Sequence, residues 1–227
     1  MPTSAEKALA TLAKEIHRCE ACPRLVRWTR KVAVDKRAAY VNDDYWGKPV
    51  SGFGDPRARI VVLGLAPGAH GANRTGRVFT GDRSGEWLFG AMHRAGLANQ
   101  AESIGKNDGL TLTDAWVTVA VRCAPPANKP TPAEQRKCKP FLERELELLT
   151  EVRVIVCLGS FALRAAADIL KLKPLPKFGH GAVIEAGKYT LVCSYHPSQQ
   201  NTFTGKLTRT MLDDVFRTAK KLAARKN

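Results

Sequence analysis

Four of the six cysteines carry the strongest chemical signal in this chain: Cys19, Cys22, Cys123 and Cys138. Only Glu20 and Ala21 separate the first two, so both thiolates reach one metal centre from a single turn. Residues 124 to 137 separate the second two, whereas a zinc ribbon repeats its tight spacing in both pairs. A [4Fe–4S] cluster accepts such uneven spacing. The cysteines by themselves favour iron–sulfur over zinc, with a set of unrelated buried thiols as the third reading. Cys157 in VRVIVCLGS and Cys193 in YTLVCSYHPS lie in apolar runs and read as small core residues.

Three polar residues form a second candidate set. His196 follows an apolar run directly and precedes Pro197, so stiff backbone aims its ring. Asp82 closes a glycine turn and either carries charge at a site or caps a helix that begins near Ser84. Asn128, in PPANKPT, reads equally as a site residue or a turn residue. Glycines at 64, 68, 71, 76 and 81 permit close backbone approach to a phosphate or a base. There is no GxGxxG, Walker lysine–serine pair, GxSxG or HExxH, which argues against a nucleoside-triphosphate site, a serine hydrolase and a zincin.

Four β-branched apolar runs must position these groups: RIVVLGLA from Arg59, AWVTVAV from Ala115, VRVIVCLG from Val152 and YTLVCSY from Tyr189. Helical patterns occupy 84–97, 131–149, 160–172 and 207–224, the second opened by Thr131 as N-cap with Pro132 at the first position and Glu134 completing a capping box. This alternation predicts an α/β fold, a mostly parallel sheet covered on both faces. Residues 1–22 read as a helix delivering the first cysteine pair, and residues 23–58 as irregular and aromatic. No linker or repeat divides the 227 residues, so we expect one domain over 1–227 with 1–58 as an N-terminal segment supplying two of the cysteines. Ligands bind beyond the carboxyl ends of such strands. Segments 64–82, 122–131 and 195–208 should therefore converge at one edge.

The 36 Lys and Arg against 21 Asp and Glu give a formal charge of +15, which favours a polyanionic partner through phosphate neutralisation. Part of that charge, in KKLAARKN, could equally be a solvated helix end. No apolar run nears the roughly 18 residues of a membrane span, and MPTSAEKALATLAKEI has no apolar signal region. The expectation is a soluble cytosolic protein whose thiols stay reduced and open to metal.

The segments GLAPGAHGANRTGRVFTGD (64–82), RCAPPANKPT (122–131) and HPSQQNTFTGKLT (196–208), in this order and with the four cysteines, resemble family 5 (type B) uracil-DNA glycosylases. The resemblance runs from the first cysteine pair nearly to the C-terminus. It implies a three-layer α/β/α fold with a central four-stranded parallel sheet, a structural [4Fe–4S] cluster on Cys19, Cys22, Cys123 and Cys138, and hydrolysis of the N-glycosidic bond of uracil in DNA. The base would be flipped into a pocket, with Phe79 stacked on it and backbone around Ala66, Pro67 and Gly68 lining it. His196 would hydrogen-bond uracil O2, Asp82 would stabilise the sugar cation or orient water, and Asn128 would position that water or the base. Gln199 and Asn201 belong to the segment expected to enter the groove left by the flipped base, with Lys206 and Arg209 near phosphates. The implied partner is DNA carrying uracil or other damaged bases, double- or single-stranded, and the protein is expected to be a monomer, cytoplasmic and nucleoid-associated.

Two departures from the better-known patterns matter. Ala66 stands where the most uracil-selective relatives carry a water-activating aspartate, and family 4 relatives carry glutamate at Leu65. Val119 stands where many relatives have an asparagine that reads the uracil edge. The resemblance therefore implies relaxed substrate choice, including hypoxanthine and oxidised or substituted uracils, since fewer polar contacts discriminate less. The rival reading is a non-enzymatic iron–sulfur protein that binds nucleic acid or senses redox state, which has no use for three converging polar loops. A zinc nuclease comes third, for want of an acidic cluster to hold two metals.

Overall fold

The computed structural model describes residues 3–225. Its sheet has six strands in the order β1-β3-β2-β4-β6-β5: β1 (Phe53–Gly54), β2 (Ile60–Gly64), β3 (Ala115–Val119), β4 (Val154–Leu158), β5 (Val183–Ala186) and β6 (Tyr189–Ser194). The central four are parallel and correspond to the four apolar runs. The expected four-stranded sheet is thus extended by two antiparallel edge strands. These were hidden because edge strands bury little: β1 is two residues long, and β5 keeps Val183 and Glu185 exposed.

Alternation along the strands divides the core into two layers. Ile60, Val62, Val117, Val119, Val156 and Val192 face α4 (Arg83–Arg94) and α8 (Arg209–Ala223), which contribute Leu88, Phe89, Leu212 and Phe216. On the other face Val61, Leu63, Trp116, Ile155 and Leu191 pack against α1 (Ser4–His17), α5 (Pro132–Leu148) and α6 (Ser160–Ile169). Cys157 and Cys193 lie side by side in this second layer, fully buried, in the core role read from the sequence. Thr131 caps α5 in a complete capping box with Glu134, worth about 1 kcal/mol.

Residues 23–58 are not wholly irregular, because α2 occupies Pro23–Asp35. Pro23 sits at its first turn, where a missing N–H is harmless, and Leu25, Thr29 and Val32 form one buried stripe. The usual start signals are absent: the N-cap is Cys22, without a side-chain bond, and the first turn has no acid. The Cys19–Cys22 pair therefore occupies the turn between two helices. Beyond α2 come a 3-10 turn at Ala38–Tyr40 and, in the first long connection of the sheet, the short helix α3 (Ala72–Thr75). A five-residue helix α7 (Gln199–Phe203) follows β6.

One buried ion pair fastens the connection after β3 to α5. Arg122 Nη2 donates to Glu145 Oε2 at 2.8 Å, and the Thr118 hydroxyl donates to the same oxygen at 2.6 Å. Removing either charge strands the other in the core, a cost of about 3–5 kcal/mol. The pair holds the neighbourhood of Cys123 against the helix that carries Cys138.

Candidate functional site

At the carboxyl edge of the parallel strands the structure gathers most of the residues singled out above. Asp82 is the N-cap of α4, its Oδ1 accepting the Gly85 N–H at 3.0 Å. Its Oδ2 rests in a glycine cradle: a Cβ on Gly68 would lie 2.9 Å from it, and one on Gly71 would overlap it. Burial raises the Asp82 carboxyl above the ordinary aspartate range, against the lowering pull of the Gly85 and Ser84 amides and of Arg74. Capping and site chemistry are thus compatible, one oxygen for each.

Phe79 occupies the left-handed region at φ +53, a conformation costing about 1–2 kcal/mol for a residue with a side chain. Its ring explains the strain. It lies over Gly64 at the end of β2, where a Cβ would come within 2.5 Å of Phe79 Cζ, and Val119 Cγ1 flanks the same spot. The ring sits 5.9 Å from the His196 imidazole, tilted by 33°. His196 in turn stands over Gly159 at the end of β4. Its imidazole makes no hydrogen bond to a described residue, and burial lowers its pKa to about 4. It is therefore neutral at physiological pH and holds an N–H ready to donate.

Other predicted positions make contacts of their own. Asn201 spends its Nδ2 on the His196 carbonyl at 2.8 Å. Ala66 packs towards the cysteine cluster beside Leu25 and Val121, Pro67 is buried, and the Gly68 carbonyl accepts the Asn73 N–H at 3.0 Å. Asn128 ends a 3-10 turn (Pro126–Asn128) at φ +55 with its side chain exposed, and no recorded contact joins it to Asp82 or His196.

Around the pocket mouth the polar surface is basic and aromatic. Phe203 is 63% exposed at the end of α7, with the Arg83 guanidinium 4.4 Å from its ring centre. Lys206 lies 4.9 Å over Tyr195, Arg209 lies 5.9 Å from Trp87, and Gln199 is exposed at the start of α7. Arg83 and Arg209 open their helices, where the macrodipole favours an anion. The sequence did not reveal Arg74. It donates to the carbonyls of His70 and Gly81 at 2.8 Å each, pairs with Asp43 at 2.6 Å and stacks 3.9 Å from the Tyr40 ring, tying the glycine cradle to the Asp82 turn. Nor did it reveal that the Tyr45 hydroxyl meets His70 Nδ1 at 3.0 Å beside that cradle. Contacts to backbone carbonyls leave no spacing to read.

On the far side of α2, Cys19, Cys22, Cys123 and Cys138 line one cavity together with Leu25, Val26, Pro49, Arg122, Lys137 and Phe141. The Arg122 N–H donates to Cys138 Sγ at 3.2 Å. Burial raises Cys138 to about 11 and also raises Cys22 and Cys123. Among the described residues no group of three or more His, Cys, Asp or Glu side chains is arranged to hold a metal ion.

Residues 51–220 match the model of the uracil DNA glycosylase superfamily. The chain is 56% identical over 209 residues to a type-5 uracil-DNA glycosylase of Mycobacterium bovis, covering 90% of this chain and 78% of that one. It is 52% identical over 221 residues to the Mycobacterium leprae type-5 uracil-DNA glycosylase, covering 95% and 96% of the two chains. The Thermus thermophilus type-5 uracil-DNA glycosylase is 52% identical over 208 residues, with 90% and 94% covered. No helix of the described residues is long and apolar enough to cross a membrane.

Proposed function

The chain belongs to the uracil DNA glycosylase superfamily, and we infer from its site that it is a DNA repair enzyme that hydrolyses the N-glycosidic bond of uracil in DNA. The observation that carries the chemistry is the presence at one edge of a neutral, unengaged imidazole beside the Phe79 ring and of a recessed carboxylate in the glycine cradle. Cleavage of the bond between C1′ and N1 sends its electrons to the base, leaving negative charge on the uracil ring and positive charge on the sugar. His196 donates an N–H to the developing charge at O2, and the Asp82 carboxylate faces the cationic sugar. Water then adds to C1′ and loses a proton, giving an abasic sugar. Phe79 stacks on the extruded base. The α7 segment, with exposed Phe203 and Gln199, enters the gap in the helix while Arg83, Lys206 and Arg209 grip phosphates of double- or single-stranded DNA. Asn128, exposed on the turn after β3, positions water or base only once DNA is bound. The enzyme acts as a monomer at the nucleoid. The test is incubation with a uracil-containing duplex: free uracil and an abasic site on an intact backbone are expected. Strand cleavage with a borohydride-trapped protein–DNA adduct would overturn the reading, since such an adduct requires a lysine Schiff base.

Substrate choice extends beyond uracil to hypoxanthine and modified uracils. The support is Val119, which with Phe79 and Gly64 gives the pocket an apolar wall where an amide would read the base edge. Val119→Asn is expected to raise the ratio of uracil to hypoxanthine release by about tenfold, measured under single turnover. An unchanged ratio would assign Val119 to the core alone.

The thiol cavity fits a [4Fe–4S] cluster held by Cys19, Cys22, Cys123 and Cys138. The reading is supported by the four cysteines lining one cavity, with the cations Arg122 and Lys137 beside it to offset thiolate charge. Bound there, the cluster supplies cross-linking rather than base-release chemistry, tying the α1–α2 turn to the β3 loop and α5. Protein purified without oxygen is expected to hold about four irons and four sulfides per chain. Stoichiometric zinc without iron would refute this.

A further inference from the structure

The backbone beneath His196 is held group by group, and one of the holders is a histidine with no assigned part. The Ser194 carbonyl accepts the Gly159 N–H at 2.7 Å, the Ser194 hydroxyl donates to the Tyr195 carbonyl at 2.9 Å, and Asn201 holds the His196 carbonyl. The Tyr195 N–H donates to His180 Nδ1 at 3.1 Å. His180 reaches it from the turn before β5, whose Gly181 N–H and Ala182 carbonyl bond to Cys193 at 2.8 and 2.9 Å. The imidazole also stacks on the Tyr195 ring, 5.1 Å between centres at 25°. An Nδ1 that accepts a hydrogen bond carries no proton, so the proton of the neutral ring is on Nε2.

We propose that His180, as the Nε2–H tautomer, is a positioning residue for His196, bridging the turn before β5 to the Tyr195 amide and so fixing the angle at which the catalytic imidazole meets the base. The proposal rests on the role given above to His196. Protonation turns Nδ1 from acceptor to donor against the Tyr195 N–H, and puts a cation on one side of the Tyr195 ring while Lys206 lies 4.9 Å from that same ring. The peptide one residue before His196 then loses its anchor. The charged groups facing His180 are Asp214 of α8 and, across the Tyr195 ring, Lys206. Burial keeps His180 below the ordinary histidine value in spite of Met211 and Asp214. A cavity of about 250 Å³, lined by His180, Val192, Met211, Asp214 and Thr218, lies between the ring and α8 and gives a proton access without unfolding. The positioned state therefore prevails above the ordinary histidine range and is lost as the pH falls through the lowered value.

Single-turnover uracil release across pH in three proteins tests this. His180→Leu removes the acceptor and is expected to slow release about tenfold at neutral pH with unchanged DNA affinity, since small misplacements of a catalytic group are costly. His180→Asn retains an acceptor that cannot be protonated. It is expected to restore most of the rate and to remove the His180 part of the acid limb. A wild-type rate in His180→Leu at every pH, or no recovery in a folded His180→Asn, would overturn the proposal. The wild-type protein gives an independent reading by ¹⁵N NMR: a bare Nδ1 on His180 at neutral pH, and a Tyr195 amide proton that titrates with it. An Nδ1–H tautomer would overturn the proposal even if the variants did not fold, whereas wild-type protein releasing no uracil would instead refute the glycosylase reading.

Discussion

Asp82→Asn is expected to slow single-turnover release of uracil by about a hundredfold or more while leaving DNA binding nearly intact. The substitution changes charge and little else. Asparagine keeps an oxygen for the Gly85 N–H, is as good an N-cap as aspartate, and fits the cradle formed by Gly68 and Gly71. What disappears is the negative charge facing a sugar that becomes positive in the transition state. The same burial that makes this charge effective makes it costly to the fold. A carboxyl whose pKa is raised on folding contributes stability below its unfolded value and loses it as the pH rises through the folded one. At neutral pH the ionised Asp82 therefore burdens the native state, and Asp82→Asn is expected to melt at an equal or higher temperature than wild type, with the gap closing in acid. Wild-type release should likewise decline in acid as Asp82 takes up its proton. Full activity in Asp82→Asn would reduce the aspartate to a helix cap, and a lower melting temperature at neutral pH would contradict its strained environment.

The same residues show what a sequence discloses. The four parallel strands were legible because burial on both faces demands unbroken apolar runs. Asp82, Phe79 and His196 could be expected at one edge because each follows such a run. The edge strands and α2 were not legible, since β1 and β5 bury little and α2 begins at a cysteine followed by proline and then alternates basic with apolar residues. The supporting layer was least legible of all. Arg74, His180 and Asn201 act through backbone carbonyls and amides, which every residue possesses, so nothing in their neighbours' identities betrays the contact. Asn201 shows the consequence: its place in the loop suggested contact with DNA, and the fold uses its amide to hold the His196 carbonyl.

His196→Ala is expected to lower uracil release by a factor similar to Asp82→Asn, and the two variants should part company on 5-fluorouracil. In the proposed mechanism the neutral imidazole acts on the base. Burial holds its pKa near 4, so between pH 5 and 9 it offers an uncharged N–H, and its contribution to the fold is present above the ordinary histidine value and lost only as the pH falls towards 4. A neutral donor strengthens its hydrogen bond as charge accumulates on O2, and that gain depends on how poorly the base carries the charge unaided. Fluorine at C5 withdraws electron density and makes the leaving base a more stable anion. Less help is then needed at O2, so the His196→Ala defect should shrink on 5-fluorouracil. The sugar cation is the same for both substrates, and the Asp82→Asn defect should persist. Single-turnover rates for two variants on two substrates measure this directly. Equal losses on both would mean that His196 and Asp82 do not act on opposite ends of the breaking bond, and a His196→Ala defect that grew on 5-fluorouracil would place the imidazole on the sugar side.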